Sequence, residues 1–271
     1  MPAAAMEPRR RSGAMPGRRA LLALCWLLPA LSAAAGCSRP LRAPVSPAGQ
    51  LVIVEGERVS GVWPDLMREV GAEIGCTIEF AVVPRARIER ALLEGRGLDL
   101  MLPATRTAER DRHGLFVPLL HQPWMLLTRK ADAGRVRSLD ELRRSGWRTA
   151  ILRSYAFSPE YRALVAELDA EHRVDHVNDS DGIGRMLRAG RIDFALLPPT
   201  GAHTAMDASL AQRRFEALPM VAVGVYLSTD SLSGADLALL REGFSRFARD
   251  GRARRAFRPY YPPEVVELNR P

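Results

Sequence analysis

Leu93-Glu94-Gly95-Arg96-Gly97-Leu98-Asp99, continuing through Leu100-Met101-Leu102 to Pro103 and Thr105, has a near copy further along the chain. The copy is Leu187-Arg188-Ala189-Gly190-Arg191-Ile192-Asp193, continuing through Phe194-Ala195-Leu196-Leu197 to Pro198 and Thr200. Each reads as a helix end, a turn, a buried strand and an exit. The glycine before arginine suits a left-handed C-cap, and the apolar run after each aspartate has the length of a strand covered on both faces. A repeat at this distance is too widely spaced for a solenoid, whose units recur every ~20 to 50 residues. It predicts two similar α/β lobes; one larger α/β domain that reuses a favourable helix-to-strand turn is the alternative. Ligands of open parallel sheets bind beyond the carboxyl ends of the strands, so Pro103 to Thr105 and Pro198 to Thr200 are expected to face a shared cleft.

The segment 1–36 reads as an address. Arg9, Arg10, Arg11, Arg18 and Arg19 precede the apolar run from Ala20 to Leu31, and small residues from Ser32 to Gly36 close it, the order of a secretory signal. The run is short for a membrane span and no later segment has about 18 consecutive apolar residues, so the mature chain is expected to be soluble and periplasmic. Ala33-Ala34-Ala35 suits ordinary signal peptidase. Ala34-Ala35-Gly36-Cys37 resembles a lipobox, in which Cys37 would be lipidated and anchor the protein. Removing the segment leaves 34 basic and 30 acidic side chains, a net of +4 against +8 for the whole chain. Lys130 is the only lysine, and the arginines are interspersed with acids, which gives no basic stripe for nucleic acid. Of the 3 cysteines, Cys25 leaves with the signal. Cys37 and Cys76 can pair only if Cys37 is not lipidated, and Cys76 reads best as a small buried apolar residue.

Along the mature chain, Pro-rich residues 37–48 read as a linker. Leu51 to Val54 is expected as a first strand, then a helix carrying Leu66, Met67 and Val70 on one face and ending near Gly75, a strand from Thr77 to Val83, a helix from Ala86 to Leu93 and the repeated strand. This βαβαβ order requires a parallel sheet. A strand from Trp124 to Thr128 leads to a crossing. Ser138 to Glu141 is a capping box, and strands at Arg148 to Leu152, Val174 to Val177 and Ile192 repeat the βαβαβ order with helices between. Met220 to Leu227 is the return crossing, and Leu237 to Phe247 an amphipathic helix packing back on the first lobe. The lobes are thus expected at 49–127 with 222–271, and at 128–221.

Gly61-Val-Trp-Pro-Asp65-Leu66, Arg87 through Gly95 to Asp99, Thr105-Arg-Thr107-Ala-Glu109-Arg110 with Phe116 and Pro118, Ser138 to Leu142, and Gly190-Arg-Ile-Asp193 occur in an order that resembles the polar amino-acid family of periplasmic solute-binding proteins. The resemblance spans roughly residues 50 to 250. It implies the type II periplasmic binding protein fold: two lobes, each a mostly parallel sheet flanked by helices, joined by a two-strand hinge and closing on a small polar solute. It also implies delivery to the permease of an ABC importer, by a monomer without metal or cofactor. In the family the arginine after the threonine motif takes the ligand carboxylate, which falls on Arg110. A guanidinium offers two parallel donors matched to a carboxylate; a surface pair with Glu109 or Asp111 is the plainer alternative. Thr105 matches a hydroxyl donor position, and Ser154 and Tyr155 a helix N-terminus suited to an anion, where Arg153 replaces the usual glycine. Trp63 and Trp124 are candidate apolar walls or simply core. Where the family carries an aspartate for the ligand ammonium, five residues after Asp193, this chain has Pro198, which offers neither charge nor N–H.

Two other functions compete. Some proteins of this architecture are dehydratases, which need a cleft carboxylate or histidine with a shifted pKa; Glu109 and His113 are near Arg110 in sequence but have no evident pairing. His172 and His176 are four apart on an expected strand, a poor metal geometry. The third function is a ligand-binding partner of a sensor receptor.

Overall fold

The computed structural model describes residues 36–153 and 158–270. The segment read as a signal, save Gly36, lies outside the described residues. The elements run β1 (Leu41–Val45), β2 (Ile53–Glu55), β3 (Arg58–Ser60), α1 (Val62–Ile74), β4 (Ile78–Val82), α2 (Arg85–Leu93), β5 (Leu100–Thr105) and β6 (Gly114–Gln122). They continue with β7 (Met125–Arg129), α3 (Leu139–Arg144), β8 (Thr149–Leu152), α4 (Pro159–Ala170), β9 (Val174–Val177), α5 (Ser180–Arg188), β10 (Phe194–Leu197) and α6 (Pro199–Ala205). Last come β11 (Leu210–Arg214), β12 (Val221–Ser228) and α7 (Gly234–Arg249).

Two sheets organise these elements. In the second lobe the order is β11-β7-β10-β8-β9, with β10, β8 and β9 parallel and β7 antiparallel to β10. In the first lobe β1 pairs in parallel with β4, and β5-β12-β6 form an antiparallel ladder. The Asp99 N–H joins the two pieces by donating to the Arg42 carbonyl at 2.8 Å. Both sheets therefore follow one plan, a βαβαβ unit extended by antiparallel strands. This is the two-lobed α/β architecture expected.

The repeated strands are covered on both faces. Along β10, Phe194 and Leu196 pack with Leu142, Tyr161 and Leu164 from α3 and α4, while Ala195 and Leu197 pack with Ile183, Leu187 and Ala202 from α5 and α6. Along β5, Leu100 and Leu102 face one cluster, and Met101 and Ala104 the other. Each such leucine removed from water contributes about 1.5–3 kcal/mol. Helix α1 buries Leu66, Met67 and Val70 and ends at a left-handed Gly75; α7 packs against it and β6. Ser138 and Glu141 form the expected capping box on α3.

Three expectations need correction. The Pro-rich 37–48 stretch is not a linker: Leu41, Ala43 and Val45 alternate into the core as β1, whereas Leu51 to Val54 contributes only to the short β2–β3 hairpin. The prolines masked that alternation, because a proline cannot donate to a ladder and so reads as a break. The crossings also lie earlier than expected. All of β7 belongs to the second lobe's sheet and all of β12 to the first, so the chain passes between lobes at 123–124 and 215–220. The Phe215 N–H donates to the Trp124 carbonyl at 2.8 Å, so the two crossings are bonded to each other. Cys37 and Cys76 form a disulfide, with Cα atoms 4.8 Å apart. Cys76 is therefore not a plain apolar filler, and the Cys37 sulfur is bonded rather than open to a lipid thioether. The chain after Tyr260 packs into the core through Tyr261, Val265 and Val266. Arg270 exchanges two backbone hydrogen bonds with His121, and the wholly buried Asn269 accepts from Gln122 Nε2 at 2.5 Å.

Candidate functional site

The exits of the two repeats meet. Pro103, Ala104 and Thr105 from β5 and Pro198 and Thr200 from the second lobe line one pocket, together with Leu51, Trp63, Arg85, Arg110, Gln122 and Val223. Half open to solvent, it offers about 60 Å³, room for about four to six water molecules. The strand ends deliver these residues because both sheets point their carboxyl edges at the gap between the lobes, as open parallel sheets do.

Arg110 is the charged group sunk deepest there, 1% exposed. Its Nε and Nη2 donate to the two carboxylate oxygens of Glu89 on α2 at 2.9 and 2.7 Å, and its Nη1 donates to the Thr105 carbonyl at 2.7 Å. The partner is thus neither Glu109 nor Asp111, the neighbours in sequence, but an acid 21 positions upstream. A guanidinium has five N–H donors; two of them have no partner among the described residues. The loop before Arg110 is fixed from the other side. Thr107 Oγ1 accepts from the Arg110 N–H at 3.2 Å, and the Tyr226 hydroxyl accepts from the Thr107 N–H at 3.0 Å while donating to Asp111 Oδ1 at 2.9 Å. Burial, with the Asp111 carboxylate beside it, pushes the Tyr226 hydroxyl up to about 12, so it stays a donor at neutral pH.

Of the other residues singled out from sequence, Thr105 and Trp63 line the same pocket. Trp63 meets Phe257 edge-on, ring centres 5.2 Å apart, and its Nε1 is buried without a partner among the described residues. Trp124 lies one step away. It lines a smaller adjoining cavity with Gln122, Pro198 and Val223, and stacks on Tyr161 at 4.4 Å, a core role as much as a wall. Ser154 and Tyr155 fall outside the described residues. Arg85, Glu89 and Gln122 were not anticipated. Arg85 and Glu89 sit one helical turn apart on α2, the spacing of a helix-face pair, and that spacing was the available signal; nothing local marked Gln122. Among the described residues no group of acids, cysteines and histidines is arranged to hold a metal ion, and no helix is long and apolar enough to cross a membrane.

Solved structures share the fold. A histidine kinase sensor domain with similarity to periplasmic binding proteins superposes with a TM-score of 0.66 at 18% identity, over 82% of this chain and 96% of that one. An amino-acid ABC transporter substrate-binding protein from Streptococcus pneumoniae, bound to L-arginine, gives 0.66 at 14% identity over 84% and 95%. The chain has the type II periplasmic binding protein fold. A third such structure, an ancestral amino-acid-binding protein that is a precursor of cyclohexadienyl dehydratase, gives 0.63 at 17% identity over 82% and 95%. At these identities the likeness is one of fold. No protein-family model matches the sequence, and no curated protein matches it.

Proposed function

We propose that this protein is an exported solute receptor whose interlobe pocket takes a small carboxylate-bearing solute for an ABC importer. The observation that carries the reading is the buried Arg110 on the pocket wall, held by Glu89 and Thr105 with two donors to spare. A guanidinium fixed in advance loses little freedom when an anion arrives, so more of the bond energy appears as affinity. Thr105 and Trp63 complete the first-lobe side, Ser154 and Tyr155 are proposed for the second, and Trp124 backs the pocket at the hinge. Lobes 49–127 with 222–271 and 128–221, their limits moved to the crossings at 123–124 and 215–220, rotate about those crossings, and ligand selects the closed arrangement. The Cys37–Cys76 disulfide supports an oxidising, extracytoplasmic location, with residues 1–36 as the export signal and the mature chain a monomer.

Among the described residues lining the pocket there is no aspartate, glutamate or histidine. That favours binding over the dehydratase reading, which needs a group to move a proton. The sensor reading keeps one specific support, the sensor domain among the solved neighbours; it uses the same pocket and differs only in what the closed form docks on. The test is a thermal-shift screen of the exported protein against carboxylates, followed by titration of the best ligand into Arg110→Ala. Loss of one charge-assisted bond, about 1.5–3 kcal/mol, weakens binding by about tenfold to a hundredfold. Undiminished affinity in the folded variant contradicts the assignment.

A further inference from the structure

The pocket is one-sided in charge. Two guanidinium groups, Arg85 and Arg110, stand in its wall and, among the described residues, no carboxylate does. The nearby acid, Glu89, has each oxygen engaged by Arg110. Residues 154–157, Ser-Tyr-Ala-Phe, bring no acid to the cleft whatever their placement. The amide at Gln122 has its Nε2 committed to Asn269, and Leu51, Trp63, Pro103, Pro198 and Val223 make the remaining wall apolar. An anion entering trades its water for the donors of Arg110. An ammonium group entering loses its hydration with no carboxylate among the described wall residues to replace it, beside the Arg110 guanidinium, and a buried unpaired charge is strongly disfavoured.

We infer that the ligand is a short monocarboxylate without an ammonium group, and that the site rejects the 2-amino acid of the same carbon skeleton. This rests on the carboxylate reading of Arg110 and narrows it. The pocket's interior of about 60 Å³ suits a skeleton of a few carbons beyond the carboxylate. Pro198 is the position from which the selectivity can be reversed. It is the N-cap of α6, with φ −63° and ψ 160°, torsions open to aspartate, which is among the residues most favoured at an N-cap. Pro198→Asp therefore keeps the helix start and sets a carboxylate in the wall.

The test is calorimetric titration of the exported protein with matched pairs: propionate and alanine, 3-methylbutanoate and valine, 4-methylpentanoate and leucine. The expected result is that the acid without nitrogen binds at least tenfold more tightly than its amino acid in at least one pair. In Pro198→Asp, folded by its thermal midpoint without ligand, that ratio falls at least tenfold. Equal or tighter binding of the amino acids to the wild type overturns this inference and leaves the carboxylate reading intact. Binding of neither member of any pair overturns both. A ratio unchanged in Pro198→Asp overturns the placing of selectivity at that wall.

Discussion

The two repeats carry the same scaffold and different chemistry. In each, a glycine at φ 67° follows the helix. Gly95 donates to Leu92 and Arg96 to Ala91, just as Gly190 donates to Leu187 and Arg191 to Met186, the paired bonds that close a helix end. In each, the aspartate N–H donates to the carbonyl of an arginine in or just before the neighbouring strand, and the carboxylate accepts that arginine's N–H: Arg42 with Asp99, Arg148 with Asp193, at 2.7 to 2.9 Å. The copies part company at their exits. β5 runs on to Thr105 and the loop that sinks Arg110, whereas β10 stops at Leu197 and Pro198-Pro199 starts α6. The lobes share what builds a strand end and differ in what that end presents. One brings the cation and the other an apolar wall.

The largest asymmetry in stability is the disulfide, which ties the start of the first lobe to the end of α1 across 39 residues and has no counterpart in the second, whose sequence contains no cysteine. Loop-closure entropy for that length is about 4 kcal/mol. Urea unfolding of Cys37→Ser/Cys76→Ser is expected to show the loss in the first lobe's signals, such as α1 and β1 amide exchange; equal loss in both lobes would break the comparison.

Next come the two aspartates. Asp99 is fully buried and also bonded by the Arg39 and Arg42 side chains, whereas the Asp193 side chain is 27% exposed and takes Arg129. Asp99→Asn is expected to cost about 2–3 kcal/mol and Asp193→Asn about 1 kcal/mol, read as shifts in denaturant midpoint. Burial alone would raise the Asp99 pKa, but the bonds from Arg39 and Arg42 hold it well below the usual carboxylate range. A depressed folded-state value stabilises fully above the unfolded value of about 4 and is lost as pH falls through the folded one. Acid unfolding below about pH 4 should accordingly be less steep in Asp99→Asn than in the wild type.

The smallest effects separate the two glycines. Alanine in a left-handed conformation costs about 1–2 kcal/mol at either. At Gly95 a Cβ would also meet Asp230 Oδ2 at 2.6 Å, while at Gly190 the nearest group is Arg129 Nη1 at 3.8 Å. Gly95→Ala should therefore lower the thermal midpoint more than Gly190→Ala, and the reverse order would mean that the turns are not equivalent.

What could be read from the sequence follows the same division. The repeat, the helix caps at Gly75 and Ser138 and the alternating burial of β5 and β10 were legible because each is decided by residues within one or two turns of one another. The shared cleft followed from the repeat alone, since the strand ends fix where Thr105 and Thr200 go. The partner of Arg110 was not legible, because Glu89 reaches it only through the packing of α2 beside the β5 exit. The same holds for Gln122 with Asn269, which meet across 147 positions, and for the Cys37–Cys76 pair. β1 is hidden in the sequence for a local reason, Pro44 within it and Pro40 before it, although Leu41-Ala43-Val45 carry the alternation.

Small-angle scattering from the protein, with and without the carboxylate that stabilises it most, tests the central claim directly. If the lobes close on an anion at Arg110, the radius of gyration falls on saturation in the wild type and does not change in Arg110→Ala at the same concentration. Saturation of the wild type with no change in radius would contradict a hinged cleft, and an equal fall in the variant would contradict the role given to Arg110.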